Sequence, residues 1–166
     1  METKAETNQV KGVKTPTNRK VDIIVKAHDL YPLPPTEKNV DANTELLDDE
    51  KHKSPFGASK KNYETIVFMG FDMTWDIEVE YKNGEDKEYK VELVSINHNP
   101  KPSGNPNLFD VNPLKPKKHS NNKRIHGTIV HSSPSPEDYT IHFQIFKNDK
   151  DPHPFHLDPK LKINPE

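Results

Sequence analysis

Nine histidines and no cysteine leave imidazole and carboxylate as the metal-ligating groups of this chain. Three of them carry the best spacing. His153 and His156 lie close together in His-Pro-Phe-His, and His142 sits in the alternating run Tyr139–Ile145, which the last segment of the chain follows. His126 and His142 both fall on the outward side of their runs, opposite Ile125/Ile129 and Ile141/Phe143. If neighbouring strands pair in register, two imidazoles face one cation, with Asp151 or Asp158 as a third ligand. The candidate metal site is therefore His142, His153 and His156. The spacing matches no zinc signature, and outward histidines on a strand are ordinarily solvated. A copper site of the cupredoxin kind needs the missing Cys. For calcium, Asp48-Asp49-Glu50 and Asp149-Lys150-Asp151 offer oxygens, but neither has the Asp-x-Asp-x-Asp-Gly order.

Catalysis finds less support. Ser132-Ser133 adjoins His131, but adjacent residues on a strand point to opposite faces, so no nucleophile–base dyad follows. Asp76, Glu78 and Glu80 share one face of a strand, and Glu88, Lys90 and Glu92 share the face opposite them in the expected hairpin, which reads as cross-strand charge pairing. The six glycines are scattered singly, so there is no phosphate-cradling loop. No catalytic residue and no cofactor is assigned.

Bulk properties narrow the partners. Net charge is −2, and the one basic cluster, Lys115, Lys117, Lys118, Lys123 and Arg124, lies in a Pro/Asn-rich loop. A solvated loop is expected there, and no nucleic acid, because a phosphate backbone calls for a concentrated excess of cations. No run reaches the roughly 18 apolar residues of a membrane span. The first residues hold no apolar signal core, so a cytoplasmic protein is expected. The absence of Cys also removes disulfides and Fe–S clusters.

The elements that must position these groups are strands. Apolar residues are 30% of the chain and the 16 prolines are about twice the usual share, so the core does not span every segment. Residues 1–19 are polar and aperiodic and read as a disordered arm. Val21–Val25 is a β-branched run and opens the domain, taken as 20–166. Residues 31–62 lose all pattern, with Pro32, Pro34 and Pro35 early and at most one helical turn in Thr44–Lys53; a long loop is expected there, functional or disordered, with disorder the cheaper explanation. Thr65–Phe71 is apolar enough for a strand. Trp75–Tyr81 alternates apolar and acidic residues, Asn83-Gly84 suits a type I′ turn, and Glu88–Leu93 alternates again, so a hairpin is expected. Trp75, the only tryptophan, reads as a core aromatic. Residues 99–122 form a second Pro-rich excursion, pinned by Leu108, Phe109 and Val111. Strands follow at Lys123–Ser132, where Gly127 suggests a bulge or a close approach, at Tyr139–Ile145, and at Phe155–Ile163, interrupted by Asp158-Pro159.

Six or seven short strands without a long helix predict an all-β fold, a single antiparallel β-sandwich of the immunoglobulin-like kind. Glu137-Asp138-Tyr139-Thr-Ile-His-Phe143 resembles the tyrosine corner of those domains, which implies a hydroxyl bonded back to the preceding crossover. Val21–Val25, then Tyr31-Pro32 and a long Pro-rich loop, resembles the opening of the PixA/AidA inclusion-body protein family. Phe143–Phe146, a polar turn and Phe155–Ile163 are similar to that family's closing strand. The two stretches cover about a quarter of the chain, and residues 64–132 match nothing in the family. The resemblance implies a bacterial cytoplasmic β-sandwich without known catalysis. The expectation that follows is a non-catalytic protein that binds a protein partner or itself through loops or strand edges, with edges guarded by Pro152, Pro154, Pro159, Lys160 and Lys162. A His/Asp metal-binding protein is the alternative.

Overall fold

The computed structural model describes residues 15–100 and 106–164 and holds two five-stranded sheets packed face to face. The first contains β1 (Arg19–Val25), β2 (Thr44–Asp48), β3 (Lys53–Ser54), β5 (Asp72–Val79) and β7 (Arg124–Thr128), in the order β3-β2-β1-β5-β7. The second contains β4 (Glu64–Phe68), β6 (Tyr89–Asn99), β8 (Glu137–Lys147), β9 (Lys150–Leu157) and β10 (Lys160–Asn164). Its order is β4-β10-β8-β6, with β9 also against β8. The expected all-β sandwich is therefore present. Its sheets are mixed rather than antiparallel, because β1 runs parallel to β5 and β10 parallel to β4. Those parallel pairs depart from the wholly antiparallel sheets of an immunoglobulin domain.

Alternation places the core as expected. Trp75 and Ile77 of β5 and Tyr139, Ile141, Phe143 and Ile145 of β8 are all buried and belong to one cluster. Across the interior the Trp75 indole N–H donates to the Tyr139 hydroxyl at 3.1 Å, with both side chains shut off from solvent. The rings lie 5.6 Å apart, and Phe109 meets Trp75 edge-on. The tyrosine corner is thus replaced: the hydroxyl joins the opposite sheet instead of its own crossover.

The hairpin expected around Asn83-Gly84 does not form. β5 and β6 belong to different sheets, and residues 80–88 cross from one to the other. Neither Asn83 nor Gly84 has the positive φ of a type I′ turn. Both strands do alternate, but alternation says only that each has an inner face. It does not say whether two inner faces are neighbours or lie opposed. The crossing is held by Asp86, a buried carboxylate that accepts the N–H of His28 at 2.6 Å and of Tyr81 at 2.9 Å. His28 lies in the one-turn helix α1 (Ala27–Leu30).

Residues 31–62 hold a helix and two strands where a long loop without regular elements is expected. Thr36 accepts the Asn39 N–H and caps α2 (Glu37–Ala42), and β2 then pairs with β1 over five residues. The strand was hidden because two of its three inward positions, Thr44 and Asp48, are polar. The Thr44 hydroxyl donates to the Val40 carbonyl, and Asp48 meets Arg19 of β1 at 3.4 Å. Farther on, the buried Lys60 ammonium donates to the carbonyls of Ala58, Pro55 and Asp41, tying down residues 55–60.

The first 14 residues of the expected arm lie outside the described residues, and its last, Arg19, is buried in β1. Residues 101–105 of the second excursion also lie outside. Residues 106–122 are irregular as expected, with Leu108 and Phe109 in the main core. Val111 is exposed, and Leu114 is the third anchor. Gly127 marks a close approach: a Cβ there would stand 2.6 Å from Leu114 Cδ1. Asp158-Pro159 separates β9 from β10, yet both continue one register along β8, and the Tyr139 N–H donates to the Pro159 carbonyl between them.

Tyr139→Phe leaves the buried Trp75 N–H without its acceptor. We expect a loss of about 1–3 kcal/mol, read from the urea midpoint at unchanged slope.

Candidate functional site

A sandwich exposes its chemistry at strand edges and loop ends, and here the edges are treated unequally. On one side, residues 106–122 seal both sheets. Ile96 of β6 exchanges backbone bonds with Leu114, and Leu93 donates to Asn122. On β7, the Arg124 carbonyl accepts from Lys117 and that of Thr128 from Asp110. On the other side, β3 is two residues long, and β9 carries Pro152 and Pro154, which have no N–H to offer. Tyr31 covers the start of β9, its hydroxyl donating to the Asp151 carbonyl and its ring stacked on His153 at 3.9 Å. Of the five expected guards, Pro152 and Pro154 are on an edge. Pro159, Lys160 and Lys162 are not, because β10 is flanked by β8 and β4.

That leaves β4. Tyr63 accepts from Lys160 and Met69 donates to Asn164, so alternate residues, Thr65 and Val67 among them, pair with β10. Glu64, Ile66 and Phe68 turn their amides and carbonyls outward. Among the described residues, the Ile66 carbonyl meets only the Arg19 guanidinium and the Phe68 carbonyl meets the Phe71 N–H. Arg19 is itself buried and held at 2.8 Å by Asp49. Beside this edge runs a groove of about 280 Å³ lined by Arg19, Asp48, Glu50, His52, Glu64 and Ile66. Beyond the strand, Met69 and Phe71 flank a turn at Gly70 (φ 89°) and are 38% and 36% exposed. Edges were anticipated in general terms. Nothing in the sequence singled out β4, because the identity of an edge depends on strand order.

The three candidate histidines separate. His142 and His156 face each other across β8 and β9 with rings 6.0 Å apart, and His156 lies 3.5 Å from Asp158. His153 shares the side of β9 that carries Phe155 and Leu157, where its Nδ1 meets the Tyr31 carbonyl at 2.8 Å. His126 pairs with Thr74 in the other sheet. Among the described residues, no group of three or more His, Cys, Asp or Glu side chains could hold a metal ion. Burial first, then the neighbouring His156 and Lys115, push His142 below its ordinary pKa against the pull of Asp158.

Charged clusters follow the observed topology. Burial opposes ionisation of Asp76, but hydrogen bonds from Arg124 (2.7 and 2.8 Å) and Lys20 outweigh it and hold the carboxyl below its ordinary value. The partners come from β7 and β1, not from Glu88, Lys90 and Glu92, whose strand lies in the opposite sheet. Lys90 pairs instead with Glu92 and Asp149. Lys117, Lys118, His119, Lys123 and Arg124 line an open pocket of about 350 Å³ together with Asp76 and Glu78, so its charge is mixed.

One buried pair escaped the sequence. His98 Nε2 lies 2.9 Å from Glu137 Oε1, both side chains fully buried, and Ser133 donates to Glu137 Oε2 at 2.6 Å. The Leu108 N–H points to His98 Nδ1, which leaves the proton on Nε2 facing the carboxylate. A bulge between Leu93 and Ser95 shifts the period of β6 and turns Ile96 and His98 inward, so simple alternation points away from them. The pair anchors residues 106–109. Among the described residues, no helix is long and apolar enough to cross a membrane.

No protein-family model matches the chain, and no curated protein does. Among solved structures it is similar to the inclusion body protein PixA from Burkholderia cenocepacia J2315, with a TM-score of 0.60 over 92% of this chain and 98% of that one. At 6% identity the likeness is one of fold. The bradyzoite-specific antigen BSR4 of Toxoplasma gondii aligns at a TM-score of 0.33 and 4% identity, covering 93% of this chain and 51% of that one.

A histidine held below its free pKa favours the folded state fully above about pH 6.5, and that contribution is lost as pH falls through the folded value. We therefore expect urea midpoints to drop as the pH falls below about 6.5, and His142→Gln to reduce that drop. An unchanged drop in the variant would remove this role for His142.

Proposed function

We propose that this chain is a non-catalytic protein that works by self-association through a strand edge. The observation that carries this reading is the outer side of β4, where Glu64, Ile66 and Phe68 present backbone groups that meet, among the described residues, one side chain and one local turn. Natural sheets blunt such rows with prolines, charges or covering loops, and this fold applies a covering loop to β6 and β7 and prolines to β9. An edge that no described residue pairs with as a strand, amid guarded ones, is the place for an added strand.

The similarity to PixA supports the same reading from outside the chain. That protein is named an inclusion body protein, a name in keeping with the self-association proposed for this chain. At 6% identity the likeness carries the fold and no particular contact. The named catalytic candidates add nothing against it: Ser133 is engaged by Glu137, and His131 Nδ1 meets the Asn107 carbonyl.

Sedimentation velocity over a wide concentration range tests the proposal. The expected result is a reversible rise in weight-average mass with concentration. A single monomeric boundary throughout would overturn it.

A further inference from the structure

We infer that the occupant of the β4 edge is β4 of a second copy, running antiparallel about a two-fold axis at Ile66; this rests on the self-association just proposed. The strand is complementary to itself in this register. Ile66 faces Ile66, and the two residues exchange both backbone bonds, since it is Ile66 that turns its N–H and C=O outward. The Arg19 guanidinium on the Ile66 carbonyl leaves the second lone pair of that oxygen available.

The side chains agree with the register. Glu64 comes opposite Phe68, so the one charged residue of the strand does not meet its own copy. The inward residues Thr65 and Val67 come opposite each other, and both are buried, so the added strands prolong the core-facing rows of both molecules. A shift by one residue would set Glu64 against Val67 and present inner faces to outer ones, which the period-two rule forbids. Met69 and Phe71, exposed just past the strand, flank the junction and lose water-exposed apolar surface there. Two five-stranded sheets would become one continuous sheet of ten. A two-fold contact of this kind closes on itself, so the dimer is a unit from which larger bodies need a further interface.

The cysteine-free chain makes the test clean. Facing residues of an antiparallel pair have Cα atoms about 5.5 Å apart, within disulfide reach. Ile66→Cys is therefore expected to give a covalent dimer on mild oxidation, and Glu78→Cys, exposed on the outer face of the other sheet, is expected to give none. Ile66→Pro removes an outward N–H and no bond to β10, so the fold should survive, as a melting curve close to that of the parent will show. Its dimer dissociation constant should rise about tenfold or more. If the parent associates while Ile66→Pro matches it and Ile66→Cys does not cross-link, the β4 pairing is wrong and self-association stands on another surface. If the Glu78→Cys variant cross-links as readily as Ile66→Cys, the pairing also fails. A parent that stays monomeric, with no covalent dimer from Ile66→Cys, removes both readings.

Discussion

A polar bond crosses the centre of the oily interior of this protein. The Trp75 indole and the Tyr139 hydroxyl meet at 3.1 Å where neither can reach water, one from each sheet. A buried donor or acceptor without its partner costs about 1–3 kcal/mol, so the sheets must be stacked with β5 facing β8. Apolar contact alone is non-directional and tolerates sliding. The hydrogen bond does not. Once β5 faces β8, it cannot lie beside β6, and the long crossing at 80–88 with its Asp86 clamp follows.

The sequence was informative where the inward positions were apolar. Trp75, Ile77, Ile141, Phe143 and Ile145 alternate without interruption and their burial was foreseeable. It was silent where buried positions were polar but paired. Thr44 and Asp48 look like solvent-facing residues until Val40 and Arg19 supply their partners. His98 and Glu137 hide in the same way, with a bulge at Leu93/Ser95 disguising the period as well. Such partners lie far apart in the chain or come close only through a turn, and local pattern carries no record of them.

Strand order was the other illegible quantity. Period two tells which face of a strand is inward, but an Asn-Gly pair after an alternating strand argues for a neighbour that the fold does not use. The same gap affects the candidate sites. His142 and His156 come together because β9 follows β8 in register, as adjacency in sequence suggested, whereas His153 lies one odd step away and turns to the other face. The edge of β4 was invisible for a related reason: its neighbour is the last strand of the chain.

That neighbour has a temporal meaning. β4 begins at residue 64 and its only strand partner among the described residues begins at residue 160, so a growing polypeptide carries β4 for about a hundred residues before β10 exists. At ribosomal speeds of about 5–20 residues per second, the delay is roughly 5–20 s. Throughout that interval the side of β4 that will meet β10 waits for its partner. The sheet that β4 joins is therefore completed only when the C-terminal residues emerge, and the first half of the chain folds ahead of the last partner it needs.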